Sequence, residues 1–132
     1  MHIIELVGRI FLSAIFLLAG VGKIFNYEST IEYMESFNVP GYLITPAIII
    51  EILFPILIII GYRTKLSAII LSLFAILLAI IFHNDFSNQM QLMSFLKNFA
   101  IAGGFMIIFV YGSNKISLDH FLKSKQSKIK NL

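Results

Sequence analysis

The chain contains no cysteine. That excludes disulfides, thiolate-held metal and dithiol redox chemistry by this chain alone. Charge is scarce as well: 13% of residues are charged and 58% hydrophobic, against about 25% and 45–50% in a soluble domain. Glycine-rich and Ser/Pro-rich stretches are missing, so neither a linker nor a disordered tract divides the 132 residues. No internal repeat is visible. His2, His83 and His120 stand at no metal-ligand spacing, so no metal site is expected. Gly20-Val21-Gly22-Lys23 lacks the spacing of a phosphate loop, and no nucleophile elbow occurs. The formal charge of +3 does not signal nucleic acid. Most of the basic excess lies between Lys115 and Lys130, and polybasic segments beside a span anchor to anionic lipid.

What remains is apolar sequence in four runs. Ile3 to Phe25 and Tyr42 to Gly61 match the roughly 20 residues that cross a bilayer core, and Leu66 to Phe82 and Phe95 to Tyr111 lie near the lower limit of about 17. The first run has no basic segment before it, and Lys23 follows rather than precedes it, so a retained span rather than a cleaved signal is expected. The fold class is therefore an all-α membrane protein, a four-transmembrane-helix bundle occupying residues 1–114, followed by a basic cytoplasmic tail, 115–132. Arg63 and Lys65 in the short second loop and the tail lysines, set against Glu28, Glu32 and Glu35 in the first loop, place both termini in the cytoplasm by the positive-inside rule. The cell membrane is the expected location. Ser29-x-x-Glu32 has the spacing of a capping box, and Tyr27, Ile31 and Met34 share one face. Together they predict a short interfacial helix after the first span.

Six polar side chains sit in or at the ends of these runs: Arg9, Lys23, Glu51, His83, Lys97 and Asn98. A charge in hydrocarbon costs about 2.5–3.5 kcal/mol on insertion scales, so it persists mainly where it is paired or used. Arg9, Ser13, Phe16, Gly20 and Lys23 form one helical stripe. Ala68, Ser72, Ala75 and Ala79 form a stripe of small residues that permits close helix approach and turns His83, one turn later, inward. Lys97 shares a face with Gly104, and Asn98 lies beside it. Glu51 falls near the middle of its run, four residues before Pro55, which removes the usual donor to its carbonyl. Taken singly, Lys23 and Lys97 fit snorkelling anchors, His83 an interfacial cap, and Arg9 either a snorkel or a partner of Glu51. Taken together they predict an outer cavity ringed by Lys23, His83, Lys97 and Asn98, with Glu51 at its floor and Arg9 beneath.

With these residues placed, the chain resembles the DoxX family of small four-helix membrane proteins. The resemblance is carried by Gly8-Arg9 through Gly20 to Lys23, Val39-Pro40-Gly41, Glu51, Gly61-Tyr62-Arg63-Thr64-Lys65, His83, Phe95-Leu96-Lys97-Asn98 and Gly103-Gly104. It implies a membrane component of redox systems, since the family includes a subunit of a thiosulfate:quinone oxidoreductase and relatives that hold or assemble redox enzymes. The expectation that follows is an integral membrane subunit of a quinone-linked oxidoreductase system, whose own chain carries no evident redox cofactor and binds at most a quinone. Its partners would be membrane lipid and a redox enzyme subunit, with an oligomer left open. A non-catalytic scaffold or assembly factor is the rival, and a small transporter a weaker one.

Overall fold

In a computed structural model that describes residues 1–132, the protein is all helical. Helix α1 runs His2–Phe25, α2 Tyr27–Ser36, α3 Ile44–Ile60, α4 Thr64–Phe82, α5 Gln89–Tyr111 and α6 Leu118–Lys130. A 3-10 turn, Gly41–Leu43, leads into α3. Four of these are long and apolar enough to cross a membrane: α1, the 41–60 run containing α3, α4 and α5. The expected four spans and the short helix after the first are therefore present. With four spans, both termini lie at one end of the bundle, and α2 lies at the other.

The boundaries have local causes. The first helix stops at Asn26, whose backbone leaves the helical region and whose carbonyl accepts from Thr30 N at 2.9 Å and Thr30 Oγ1 at 2.7 Å. Asn26 thereby opens α2. Ser29 is inside that helix and donates to the Asn26 carbonyl, so the expected Ser29–Glu32 capping box is not formed. α5 begins six residues earlier than its apolar stretch because the Asn88 side chain caps it, accepting from Met90 N and Gln91 N. The tail, read from sequence only as a basic run, contains α6 with Ser117 as its cap.

α3 ends on Gly61, at φ 73°. Gly61 N donates to Ile58 O and Tyr62 N to Leu57 O, a paired closure that requires the left-handed conformation glycine adopts freely. Packing follows the sequence 1–3–4–5: α1 lies on α3, α3 on α4, α4 most extensively on α5, and α5 touches α1 only lightly. The predicted stripes face inward. Arg9, Ser13, Phe16 and Gly20 are buried on α1, and Ala68, Ser72, Ala75 and Ala79 on α4. Ser72 Oγ donates to the Ala102 carbonyl across the α4–α5 seam at 3.0 Å. The core is centred on Phe16, whose ring meets Phe105 at 5.8 Å and Phe74 at 6.2 Å.

Candidate functional site

The central polar contact is between α1 and α3. Gly20 faces Glu51 so closely that a Cβ there would stand 2.8 Å from Ile52 Cγ1 and 3.1 Å from Glu51 Cβ. This close approach fixes the register of the two helices. Lys23, one turn beyond Gly20 on the same stripe, then reaches Glu51. Its Nζ donates to Oε1 at 2.9 Å and lies 2.9 Å from Oε2 as well. The second contact is outside hydrogen-bond geometry, leaving Oε2 held by charge alone. Glu51 is 1% exposed and Lys23 22%, so the carboxylate is sealed behind an ammonium that still reaches open space. An ammonium has three N–H donors, and Glu51 is the one acceptor that Lys23 meets within the chain.

That open space is a cavity of about 780 Å³ between α1, α2, α3 and α4, within the roughly 300–1,000 Å³ range of small-molecule sites. Its walls are mostly apolar, including Ile15, Ala47, Ile50, Leu77 and Ile81, with Lys23, Glu51, His83 and Asn98 among the lining. Phe16 and Phe74 close it toward the core. Across its mouth lies α2, contributing Ser29, Thr30, Tyr33 and Met34. Tyr33 stacks on Phe82 of α4 at 5.5 Å, and Phe37 meets both rings at 5.0 and 5.1 Å. This three-ring cluster joins the cavity's cover to its wall. His83 is oriented by Gln91, with Nδ1 and the amide oxygen 3.0 Å apart. With the amide oxygen as acceptor Nδ1–H is the donor, and Nε2 makes no hydrogen bond within the chain.

Two of the six sequence candidates do not line this cavity. Lys97 is exposed on α5 and is absent from its lining. Gly104, on the same face, packs against Leu12 of α1, but α1 and α5 barely touch, and two turns further along that face is open. Arg9 is buried at the terminal end of the bundle, 1% exposed, about two turns from Phe16. It pairs with Glu5 through Nε at 2.8 Å and Nη2 at 3.2 Å. Nη1 donates to the Ile58 and Ile59 carbonyls at 2.9 and 2.8 Å, and Nη2 to Ile116 O. All five guanidinium N–H bonds are consumed. Two of them neutralise the last carbonyls of α3, where a helix end carries partial negative charge. Arg9 is therefore neither a snorkelling anchor nor a partner of Glu51, but a tie between α1, α3 and the segment before α6.

The DoxX family model matches residues 4–84, which contain Arg9, Lys23, Glu51 and His83. The chain belongs to the DoxX family. A second family model, SURF4, matches residues 46–125. Among relatives, the inner membrane protein YqjF of Escherichia coli (strain K12) is 35% identical over 120 residues, covering 91% of this chain and 92% of that protein. The inner membrane protein YphA of the same organism is 29% identical over 124 residues, covering 89% of each chain. No solved structure matches.

Several residues that shape this DoxX protein's sites were not singled out from sequence. Glu5 stands four residues before Arg9, the helical ion-pair spacing, and that signal is readable. Gln91 precedes the expected start of the last span, and Asn26, Thr30 and Tyr33 fall outside the Tyr27, Ile31 and Met34 pattern of the short helix expected there. Asp119 gives no local signal. It reaches back across the bundle, its carboxylate accepting from Arg63 N and Thr64 N at 2.8 Å and from Thr64 Oγ1 at 2.7 Å, while its own N–H donates to Gly61 O. The Gly61-Tyr62-Arg63-Thr64-Lys65 stretch is thus the dock for the start of α6.

Proposed function

We propose that this DoxX protein is the ligand-binding membrane subunit of a quinone-linked oxidoreductase system, and that the cavity beneath α2 holds the quinone head. The observation that carries this reading is the Lys23 ammonium, buried against Glu51 yet presenting unused N–H donors to an apolar cavity of about 780 Å³. A lipid-soluble molecule with a polar head fits such walls. Its ring fills the apolar space, and a carbonyl oxygen accepts from Lys23 or from the Asn98 amide. His83, held by Gln91, lies on the same lining, where its Nε2 can take protons from water and pass them to the two quinone oxygens. Glu51 holds Lys23 in place. Two-electron reduction of a quinone takes up two protons, and the electrons come from a partner enzyme, since this chain presents no haem ligand pair, cluster cysteines or flavin fold.

Ubiquinone-2, whose short tail keeps it soluble in detergent, tests this by equilibrium dialysis with ultraviolet detection. Saturable binding by wild type is expected, weakened at least about tenfold in Lys23→Met, with the loss of one charge-assisted hydrogen bond of about 1.5–3 kcal/mol. Lys97→Met is expected to bind as wild type, because Lys97 is off the cavity. Absence of saturable binding by the folded wild-type protein refutes the reading, and the scaffold role then stands in its place.

A further inference from the structure

We infer that the bundle end carrying α6 holds a second, independent site: a pocket for the phosphate of one anionic phospholipid, built from Arg63, Lys65 and Lys123. The pocket, about 490 Å³, lies between the start of α4, the end of α5 and the first turns of α6. Three full cations line it against one carboxylate, Asp119. That carboxylate already accepts three hydrogen bonds from Arg63 N, Thr64 N and Thr64 Oγ1, so its charge is directed into the start of α4. None of the three cations forms an ion pair with any carboxylate of the chain; the ion pairs present are Arg9–Glu5 and Lys23–Glu51. Arg63 lies over the Tyr62 ring at 5.9 Å, and three cations without a carboxylate partner on the lining of one concavity repel one another, which an anion relieves.

Position selects the anion. The pocket opens where two spans end, which is the depth of lipid head groups. Basic pockets between spans on the face of the membrane rich in anionic lipid take phosphate head groups. Leu66 of α4 and Tyr111 of α5, both on the lining, are 50% and 79% exposed, a flank along which acyl chains can lie. A soluble phosphate gains nothing from that flank. The Asp119 dock places Lys123 on the same lining as the other two cations, so the site exists only while α6 is seated.

The probe is dioleoyl phosphatidylglycerol titrated onto the purified full-length protein in neutral detergent, with one-to-one binding read by native mass spectrometry and phosphatidylcholine as control. Wild type is expected to retain one phosphatidylglycerol in preference to phosphatidylcholine. Arg63→Gln/Lys65→Gln/Lys123→Gln should weaken that binding at least about tenfold, since each basic group near a membrane surface contributes about a factor of five. Lys125→Gln/Lys128→Gln/Lys130→Gln removes the same charge elsewhere on the tail and should stay within about twofold of wild type. Equal losses in the two triple variants, or no loss in the first, overturn the pocket. Inorganic phosphate binding as tightly as phosphatidylglycerol overturns the lipid assignment. Should the first triple variant fail to fold, Lys123→Gln on exposed α6 serves alone, with a loss of about fivefold expected and wild-type binding refuting the site.

Discussion

Removing Lys23 leaves the Glu51 carboxyl, 1% exposed, without its counter-ion, and this perturbation tests the site at its centre. At 2.9 Å and an effective dielectric near 20, the gross attraction is about 6 kcal/mol, opposed by several kcal/mol of desolvation for each ion. The pair therefore contributes little net stability, whereas breaking it is expensive. A Lys23→Met variant should lose about 2–4 kcal/mol, since it leaves a buried group without its partner. Glu51→Leu leaves the Lys23 ammonium without a counter-ion but with some solvent or head-group contact, and should cost about 1–3 kcal/mol. Lys23→Met/Glu51→Leu, which removes both charges and keeps volume, should fall within about 1 kcal/mol of wild type. Reversible unfolding in mixed micelles, followed by helical circular dichroism, supplies the double-mutant cycle, and a coupling of at least about 1.5 kcal/mol is expected. Destabilisation of the double variant equal to the sum of its parts would refute the claim that the two groups act as a pair.

Two further predictions concern the framework. Gly61→Ala drives a methyl group into Ser117 Cβ and to 3.0 Å from Arg9 Nη1 at φ 73°; it should cost more than about 2 kcal/mol and release α6, seen as faster proteolysis between residues 112 and 118 than in wild type. For orientation, single cysteines at Ser36 and Ser127 in intact cells should react with an impermeant thiol reagent at residue 36 alone; labelling at 127 alone would invert the topology drawn from Arg63, Lys65 and the lysine tail.

How much of this was legible in sequence depends on whether the relevant contact was periodic. The Arg9–Ser13–Phe16–Gly20 and Ala68–Ser72–Ala75–Ala79 stripes are helical repeats, and they face the core as their spacing requires. The cost of a mid-span carboxylate required a basic partner for Glu51 but left its identity open. Three cations were available, and the choice is made by the α1–α3 register that Gly20 sets against Glu51 and Ile52. Lys97 shares a face with Gly104, but a shared face means shared surroundings only where the neighbouring helix continues alongside, and α1 does not. The α6 dock was hidden because its determinant, Asp119, caps a helix some 55 residues earlier in the chain. Local caps such as Asn88 can be read from sequence, while caps supplied from afar cannot.

The two buried cations also show how satisfaction separates structure from site. Arg9 and Lys23 occupy one stripe of one helix, and both pair with a glutamate. Arg9 spends every donor on the chain itself, on Glu5 and on three backbone carbonyls, so no ligand oxygen can approach it without breaking a bond already made. Lys23 donates to Glu51 alone and borders a cavity. A ligand oxygen can therefore be added at Lys23 with no internal hydrogen bond lost, whereas at Arg9 each added contact would cost one of comparable strength. The same difference explains why the arginine's geometry suits the first position. A planar fork ties α1 to the end of α3 and to the approach to α6 in fixed directions, and a compact, rotatable ammonium suits the second.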